Sequence, residues 1–190
     1  DNMNTEFKNF IQKVKNFEPT STEKTRLDNI IMGIDKFIDS CKTIVFLCTH
    51  NSRRSQYCEI WAKYFSSVYK NKIKFLSAGA VKTKVHKQIY KSFERVGVKV
   101  DENSSINIED MTILPFSKTL TEVKEKEFMS IMTCAESEKS CPVDARSLIN
   151  LKLFYDDPKR YDNTPEEAEE YDKTSFMIAS QINYILKNIN

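Results

Sequence analysis

A chain of 190 residues with 40% hydrophobic and 29% charged residues is long enough for one ordinary domain plus an appendage, and a net charge of +2 gives no general support to nucleic-acid binding. No apolar run approaches the roughly 20 residues that span a bilayer, and the start DNMNTEFKNF has no signal-peptide core, so the expectation is a cytoplasmic protein without a membrane partner. Five cysteines, an odd number, fit reduced thiols better than a secreted disulfide framework, and each is therefore read for its chemistry.

Residues Thr5 to Phe17 place Phe7, Phe10, Ile11, Val14 and Phe17 on one helical face. Pro19 ends that helix. Thr20 followed by Glu23 then reads as a capping box for a second helix carrying Leu27, Ile30, Ile31, Ile34, Phe37 and Ile38. These two helices make residues 1–41 an N-terminal helical extension that packs on the core or on a partner, with 42–190 as the main domain. From Lys42 the character changes. Ile44, Val45, Phe46 and Leu47 form an apolar run suited to a strand buried on both faces of a parallel sheet. After Arg54, the residues Tyr57, Ile60, Trp61, Tyr64 and Phe65 recur at helical intervals, so Thr49 to Arg54 turns the chain from strand to helix.

That turn aims backbone N–H groups and the positive end of a helix dipole at one point beside the Cys48 thiol. An anion would bind there, and the same field favours the thiolate of Cys48. Arg54 can fork two N–H groups onto a tetrahedral oxyanion, Ser55 can donate to the sulfur, and Asn51 tolerates the positive φ that such a loop requires. The oxyanion loop is thus Thr49, His50, Asn51, Ser52, Arg53, Arg54 and Ser55. A small buried thiol beside solvated arginines is the plainer reading, but it leaves the placement of Asn51, Arg54 and Ser55 without a reason. A nucleotide-binding P-loop needs glycines and a terminal Gly-Lys-Ser/Thr, and Lys42 to Phe65 contains no glycine.

Further on, Lys72 to Ser77 is a second strand ending in Ser77-Ala78-Gly79. A helix follows from Val85 to about Val96, capped by Gly97. Asp101 to Pro115 reads as irregular loop, and Lys118 to Glu127 as a solvated charged face or connection. Phe128 to Thr133 is a third strand running into Cys134. Leu151 to Tyr155 is a fourth running into Asp156-Asp157-Pro158. Thr164-Pro165-Glu166-Glu167 starts a terminal helix that reaches Ile189. The strand–helix alternation is that of a parallel sheet, whose ligand sites lie beyond the carboxyl ends of the strands, where Cys48, Cys134 and Asp157 can converge. Cys134 and Cys141 could be two buried thiols. Read chemically, they are the second and third thiols that a stepwise disulfide cascade needs, and on a helix they would stand about 10 Å apart, so their pairing demands local unwinding.

Cys48-Thr49-His50-Asn51-Ser52-Arg53-Arg54-Ser55-Gln56, Ser77-Ala78-Gly79, Cys134-x6-Cys141-Pro142 and Asp156-Asp157-Pro158 together resemble the low-molecular-weight protein tyrosine phosphatase superfamily, and within it the thioredoxin-coupled arsenate reductase branch. The likeness runs from about Thr43 to Ile189. It implies an α/β fold in three layers, with a four-stranded parallel central sheet flanked by helices. It also implies that Cys48 attacks the bound oxyanion, that Arg54 holds it, and that Asp157 protonates the departing oxygen. For arsenate, Cys134 then attacks Cys48, arsenite leaves, Cys141 attacks Cys134, and an external thioredoxin-like dithiol reduces the disulfide. No tightly bound cofactor is implied, although some relatives hold a potassium ion behind the loop, and Asn51, Glu59 and Ser77 match part of that site.

The chain departs from the pattern in places. Arg53 stands where many relatives carry a second loop cysteine, so it adds charge at the mouth or is solvated. Lys159 and Arg160 follow Asp157-Pro158 where phosphatases place tyrosines, which weakens a phosphotyrosine substrate. His50 and His86 read as loop and surface residues. The leading expectation is arsenate reduction. Phosphoester hydrolysis through Cys48, Arg54 and Asp157 is the alternative, and a phosphate- or partner-binding module without turnover is the third.

Overall fold

The computed structural model describes residues 5–140 and 144–190, so Cys141 lies outside the described residues. In chain order the elements are α1 (Thr5–Lys15), α2 (Ser21–Phe37), β1 (Thr43–Cys48), α3 (Arg54–Tyr69), β2 (Lys74–Gly79), α4 (Lys87–Arg95), β3 (Lys99–Val100), β4 (Ile106–Ile108), β5 (Met111–Ile113), β6 (Phe128–Met132), α5 (Ser137–Ser140), β7 (Ser147–Lys152) and α6 (Glu167–Asn188). Short 3-10 turns occupy Leu120–Glu122 and Pro158–Tyr161. No described helix is long and apolar enough to cross a membrane.

The central sheet has four parallel strands in the order β2-β1-β6-β7, flanked by helices. With β1 inside, its residues are buried on both faces and alternate between two apolar groups. Ile44 and Phe46 join the main core, whereas Val45 and Leu47 meet Ala78, Leu120, Val123 and Phe128. The parallel register brings Cys48 level with Gly79 and Leu47 level with Met132, so the carboxyl ends of three strands open onto one place.

Helix α1 inserts Phe7 and Phe10 against the fully buried Trp61 of α3, with stacked centroids 6.5 and 5.4 Å away. The Trp61 indole N–H donates to Ser175 Oγ on α6 at 3.0 Å, so the apolar ring is buried without an orphaned polar atom. The capping box read at Thr20 and Glu23 is present in both directions, at 3.2 and 3.0 Å. Arg26 of α2 ties that helix to Phe154 O and Gln181, each at 3.0 Å.

Several expectations change. The stretch 101–115 is not a loop throughout, because β3, β4 and β5 form a small antiparallel sheet that buries Ile106, Ile108 and Ile113. Strands of two or three residues are too short to show a period, and the β4–β5 turn uses Glu109 at φ 54 where Asn-Gly would have announced it. The last sheet strand sits at Ser147–Lys152 and not at 151–155, although Leu153 N and Tyr155 N continue bonding to Met132 O and Thr133 O at 2.8 and 3.1 Å. Helix α4 begins at Lys87 with His86 as its cap. The Thr164 cap is absent: its hydroxyl donates to Tyr161 O at 2.6 Å, closing the preceding 3-10 turn, and α6 starts at Glu167. The 118–127 segment is not simply solvated, since Lys118 is buried and Leu120 and Val123 face the sheet.

Candidate active site

Between the end of β1 and the start of α3, residues 49 to 53 wrap around the Cys48 sulfur. Asn51 adopts φ 48, the left-handed conformation expected of it, and its N–H donates to Cys48 Sγ at 3.2 Å. Ser55 Oγ stands 2.9 Å from the same sulfur. The direction of that bond follows from groups that can only donate. Lys118 N donates to Asn51 Oδ1 at 2.9 Å, which turns the Asn51 amide nitrogen toward Ser55 Oγ and Ser77 Oγ at 2.8 and 2.9 Å. Ser55 therefore accepts from Asn51 and has its own proton for Cys48. Ser77 likewise accepts from Asn51 and donates to Glu59 Oε1 at 2.6 Å. Every member of this relay is buried.

Gly79 explains the Ser-Ala-Gly ending of β2. A Cβ there would lie 2.8 Å from Thr49 O, 2.9 Å from Asn51 N and 3.0 Å from Cys48 O. These are backbone atoms of the loop, so no side chain fits at that position without moving it. Ala80 N and Val81 N then donate to Thr49 O, and Ser52 Oγ donates to Lys84 O at 2.7 Å. The segment after β2 thus clamps the loop from outside.

The front of the loop is a cleft of about 170 Å³ lined by Cys48, Thr49, Arg54, Glu136, Asp157 and Lys159 among others. Arg54 is buried, donates to Tyr155 O at 2.9 Å, and reaches Asp157 Oδ2 at 3.1 Å and Glu136 Oε2 at 3.8 Å. The other Asp157 oxygen accepts Lys159 N at 3.0 Å, a cap of the 3-10 turn that places the carboxylate over the cleft. Cys134 is fully buried, and its sulfur stands 3.8 Å from Thr49 Oγ1, which also meets Ser140 Oγ at 3.1 Å. The structure therefore brings Cys48, Arg54, Asp157 and Cys134 to one end of the sheet, while Cys141 falls in 141–143, outside the described residues.

Arg53 is neither a solvated charge nor a free one at the mouth. Its Nη2 pairs with Asp162 at 2.9 Å and its Nε donates to Tyr171 OH at 2.7 Å, while Tyr171 OH donates to Asp162 Oδ1 at 2.6 Å. This clasp joins the loop after Cys48 to the segment that follows Asp157. His86 is part of the same cluster, stacked on Tyr171 at 5.1 Å and 3.4 Å from Asp162, so it is not a plain surface residue. Burial and the Arg53 guanidinium hold His86 below its ordinary pKa, and burial pushes the Tyr171 phenol up. His50 is exposed at the mouth. Cys58, on α3, is fully buried, and burial raises its pKa well above the usual thiol range, which makes it a packing group.

The residues Asn51, Glu59 and Ser77 do not fit a potassium ion. Asn51 Oδ1 accepts from Gln56 and Lys118 N, Ser77 Oγ gives its proton to Glu59, and Glu59 is faced by Lys63 Nζ at 2.7 Å and Lys118 Nζ at 3.6 Å. A further cation would meet two ammonium groups and no free oxygen of Asn51. Sequence reading missed Lys118, Asp162 and Tyr171, whose ordinary charged or aromatic surroundings carry no motif.

The four-stranded parallel sheet flanked by helices, with a Cys-x5-Arg loop after β1, is a low-molecular-weight phosphatase-like fold. Solved structures with this fold include an arsenate reductase from Archaeoglobus fulgidus, with a TM-score of 0.56 and 19% identity over 76% of this chain and 99% of that one. A low-molecular-weight phosphotyrosine phosphatase from Vibrio cholerae aligns with a TM-score of 0.53 and 15% identity, over 77% of this chain and 94% of that one. No protein-family model matches the chain. Among curated proteins, the arsenate reductase of Bacillus licheniformis is 30% identical over 128 residues, 67% of this chain and 82% of the relative. That of Bacillus subtilis is 29% identical over 126 residues, 66% of this chain and 81% of the relative. The chain belongs to the arsenate reductase family that these relatives represent.

Proposed function

We propose that this protein reduces arsenate to arsenite through Cys48, with Cys134 and Cys141 as the disulfide relay and a thioredoxin-like dithiol as the external reductant. The observation that carries the reading is the meeting at one sheet end of an oriented thiol, a buried arginine, a carboxylate over the cleft and a second thiol beside Thr49. The loop N–H groups and Arg54 hold the oxyanion, whose charge they match. Cys48 sulfur attacks arsenic, and Asp157 supplies the proton with which an arsenate oxygen leaves as water. Cys134 then attacks Cys48 sulfur. A disulfide forms, the sulfur–arsenic electron pair stays on arsenic, and As(V) becomes As(III), released as arsenite. Cys141 attacks Cys134, frees Cys48 as thiolate, and the Cys134–Cys141 disulfide is passed to the reductant.

Phosphomonoester hydrolysis is a second reading, supported by the meeting of Cys48, Arg54 and Asp157 in one cleft, a set that would need no help from Cys134. One paired assay separates the two. Wild type, Cys48→Ser, Cys134→Ser and Cys141→Ser are given arsenate with a thioredoxin system and, separately, an aryl phosphate. Loss of arsenate turnover in all three variants, with aryl phosphate cleavage lost only in Cys48→Ser, is expected. Arsenate turnover sustained by Cys134→Ser or Cys141→Ser would sink the relay.

A further inference from the structure

We propose that the ammonium group of Lys118 is a built-in cation behind the oxyanion loop, filling the place a diffusible cation would need and orienting the loop through Glu59, Ser77 and Asn51. The inference rests on the reading of Thr49 to Ser55 as an oxyanion loop.

Among the described residues, the charged side chains that are buried are Arg54, Glu59 and Lys118, and all belong to this one site. Arg54 serves the front. Glu59 and Lys118 lie behind, where a lone buried charge would be costly and an opposite charge offsets that cost. Lys118 Nζ stands 3.6 Å from Glu59 Oε1 and 4.3 Å above the Phe116 ring. Its backbone is held as firmly as its side chain, since Lys118 N donates to Asn51 Oδ1 at 2.9 Å and Lys118 O accepts Gly79 N at 2.9 Å. One residue thus contacts both ends of the relay: the carboxylate that accepts from Ser77 and the amide that donates to Ser77 and Ser55. Lys63, the other ammonium on Glu59, sits on the same helix with its side chain 34% exposed, and it reaches Oε2, the oxygen that does not accept from Ser77. Lys118 is therefore the cation on the Ser77 side of the carboxylate. A diffusible ion would be redundant there.

The test reads binding and melting, so it stands whether or not arsenate is the substrate. Sulfate affinity and Tm are measured in potassium, sodium and tetramethylammonium chloride at matched ionic strength. Wild type and Lys118→Arg should show the same values in all three salts. Lys118→Ala, which leaves a space beside Glu59, should bind sulfate about tenfold more weakly in tetramethylammonium, the scale of one charge-assisted hydrogen bond. Potassium should restore most of that loss. A potassium-specific gain in wild type would overturn the proposal, as would a Lys118→Ala protein with wild-type affinity and no cation dependence. If Lys118→Ala does not fold, Lys118→Ala with Glu59→Gln removes both charges and should fold; its failure would equally overturn the proposal.

Discussion

The two sides of the loop around Cys48 are built on opposite principles. Behind it, Asn51, Ser55, Ser77, Glu59 and Lys118 are all buried, and the Asn51 amide, the Ser77 hydroxyl and Lys118 N each have an assigned acceptor. In front of it, Glu136 and Lys159 are exposed, Asp157 is half-buried, and the short helix α5 leads directly to Cys141. The difference suits two demands of the proposed chemistry. Charge stabilisation needs dipoles that do not reorganise, and a closed hydrogen-bond relay supplies that. The proposed relay of thiols needs a segment that can rearrange, and the exposed residues Glu138, Lys139 and Ser140 of α5 adjoin it.

The contrast can be broken from the rigid side first. Gly79→Ala places a Cβ within 3 Å of three loop backbone atoms, so the loop must shift. Turnover of arsenate and of aryl phosphate should both fall by about a hundredfold or more, the cost of misplacing reacting groups by an ångström. A near-normal kcat/KM would show that the back of the loop is not rigid. Ser55→Ala removes the hydroxyl donor from Cys48 while leaving the packing. Alkylation of Cys48 by iodoacetamide at pH 7 should slow by about tenfold, as for a hydrogen bond to a charged group; an unchanged rate would mean that Asn51 N alone suffices.

Weaker effects are expected at the front. Arg53→Met breaks the clasp to Asp162 and Tyr171 and leaves a partly buried carboxylate without its guanidinium. Thermal or urea unfolding should report a loss of about 1–3 kcal/mol, with arsenate kcat/KM reduced less than in Gly79→Ala. The smallest effect concerns His86. Its pKa is lowered in the folded state, so the unfolded chain binds the proton first as pH falls. The stability it contributes is complete above its ordinary value near 6.5 and declines below it. Protonation also removes the Nδ1 acceptor that caps α4 through Gln88 N at 3.1 Å. His86→Asn keeps a cap without titrating, and should flatten the loss of Tm between pH 6.5 and 5; an unchanged slope would exclude His86 as its source.

The candidate site was legible where residues that share a chemistry also lie close in the chain. Cys48, Asn51, Arg54 and Ser55 lie within one turn, so their spacing already states their geometry, and Asp157-Pro158 marks its own 3-10 turn. The Thr20–Glu23 capping box was legible for the same local reason. Arg53 was misread because an arginine in a loop looks alike whether solvated or clasped, and its partners Asp162 and Tyr171 are over a hundred residues away. Lys118 was misread because it sits in a charged stretch, LysThrLeuThrGluValLysGluLysGlu, whose composition describes a surface. The β3–β5 sheet was missed because its strands are shorter than any period.

The sequence by itself determined the parallel sheet and the turn from β1 into α3 that places Cys48 beside Asn51, Arg54 and Ser55, because apolar runs, helix periodicity and a Cys-x5-Arg spacing act over a few residues. Only the tertiary structure decided what orients that thiol. Asn51 reads its amide orientation from Lys118 N, 67 residues on, and passes it to Ser55, while Gly79 is required by backbone that a different strand brings beside it. Hydrogen-bond direction is set by which partner can only donate, and that partner is chosen by the fold, not by the neighbouring sequence.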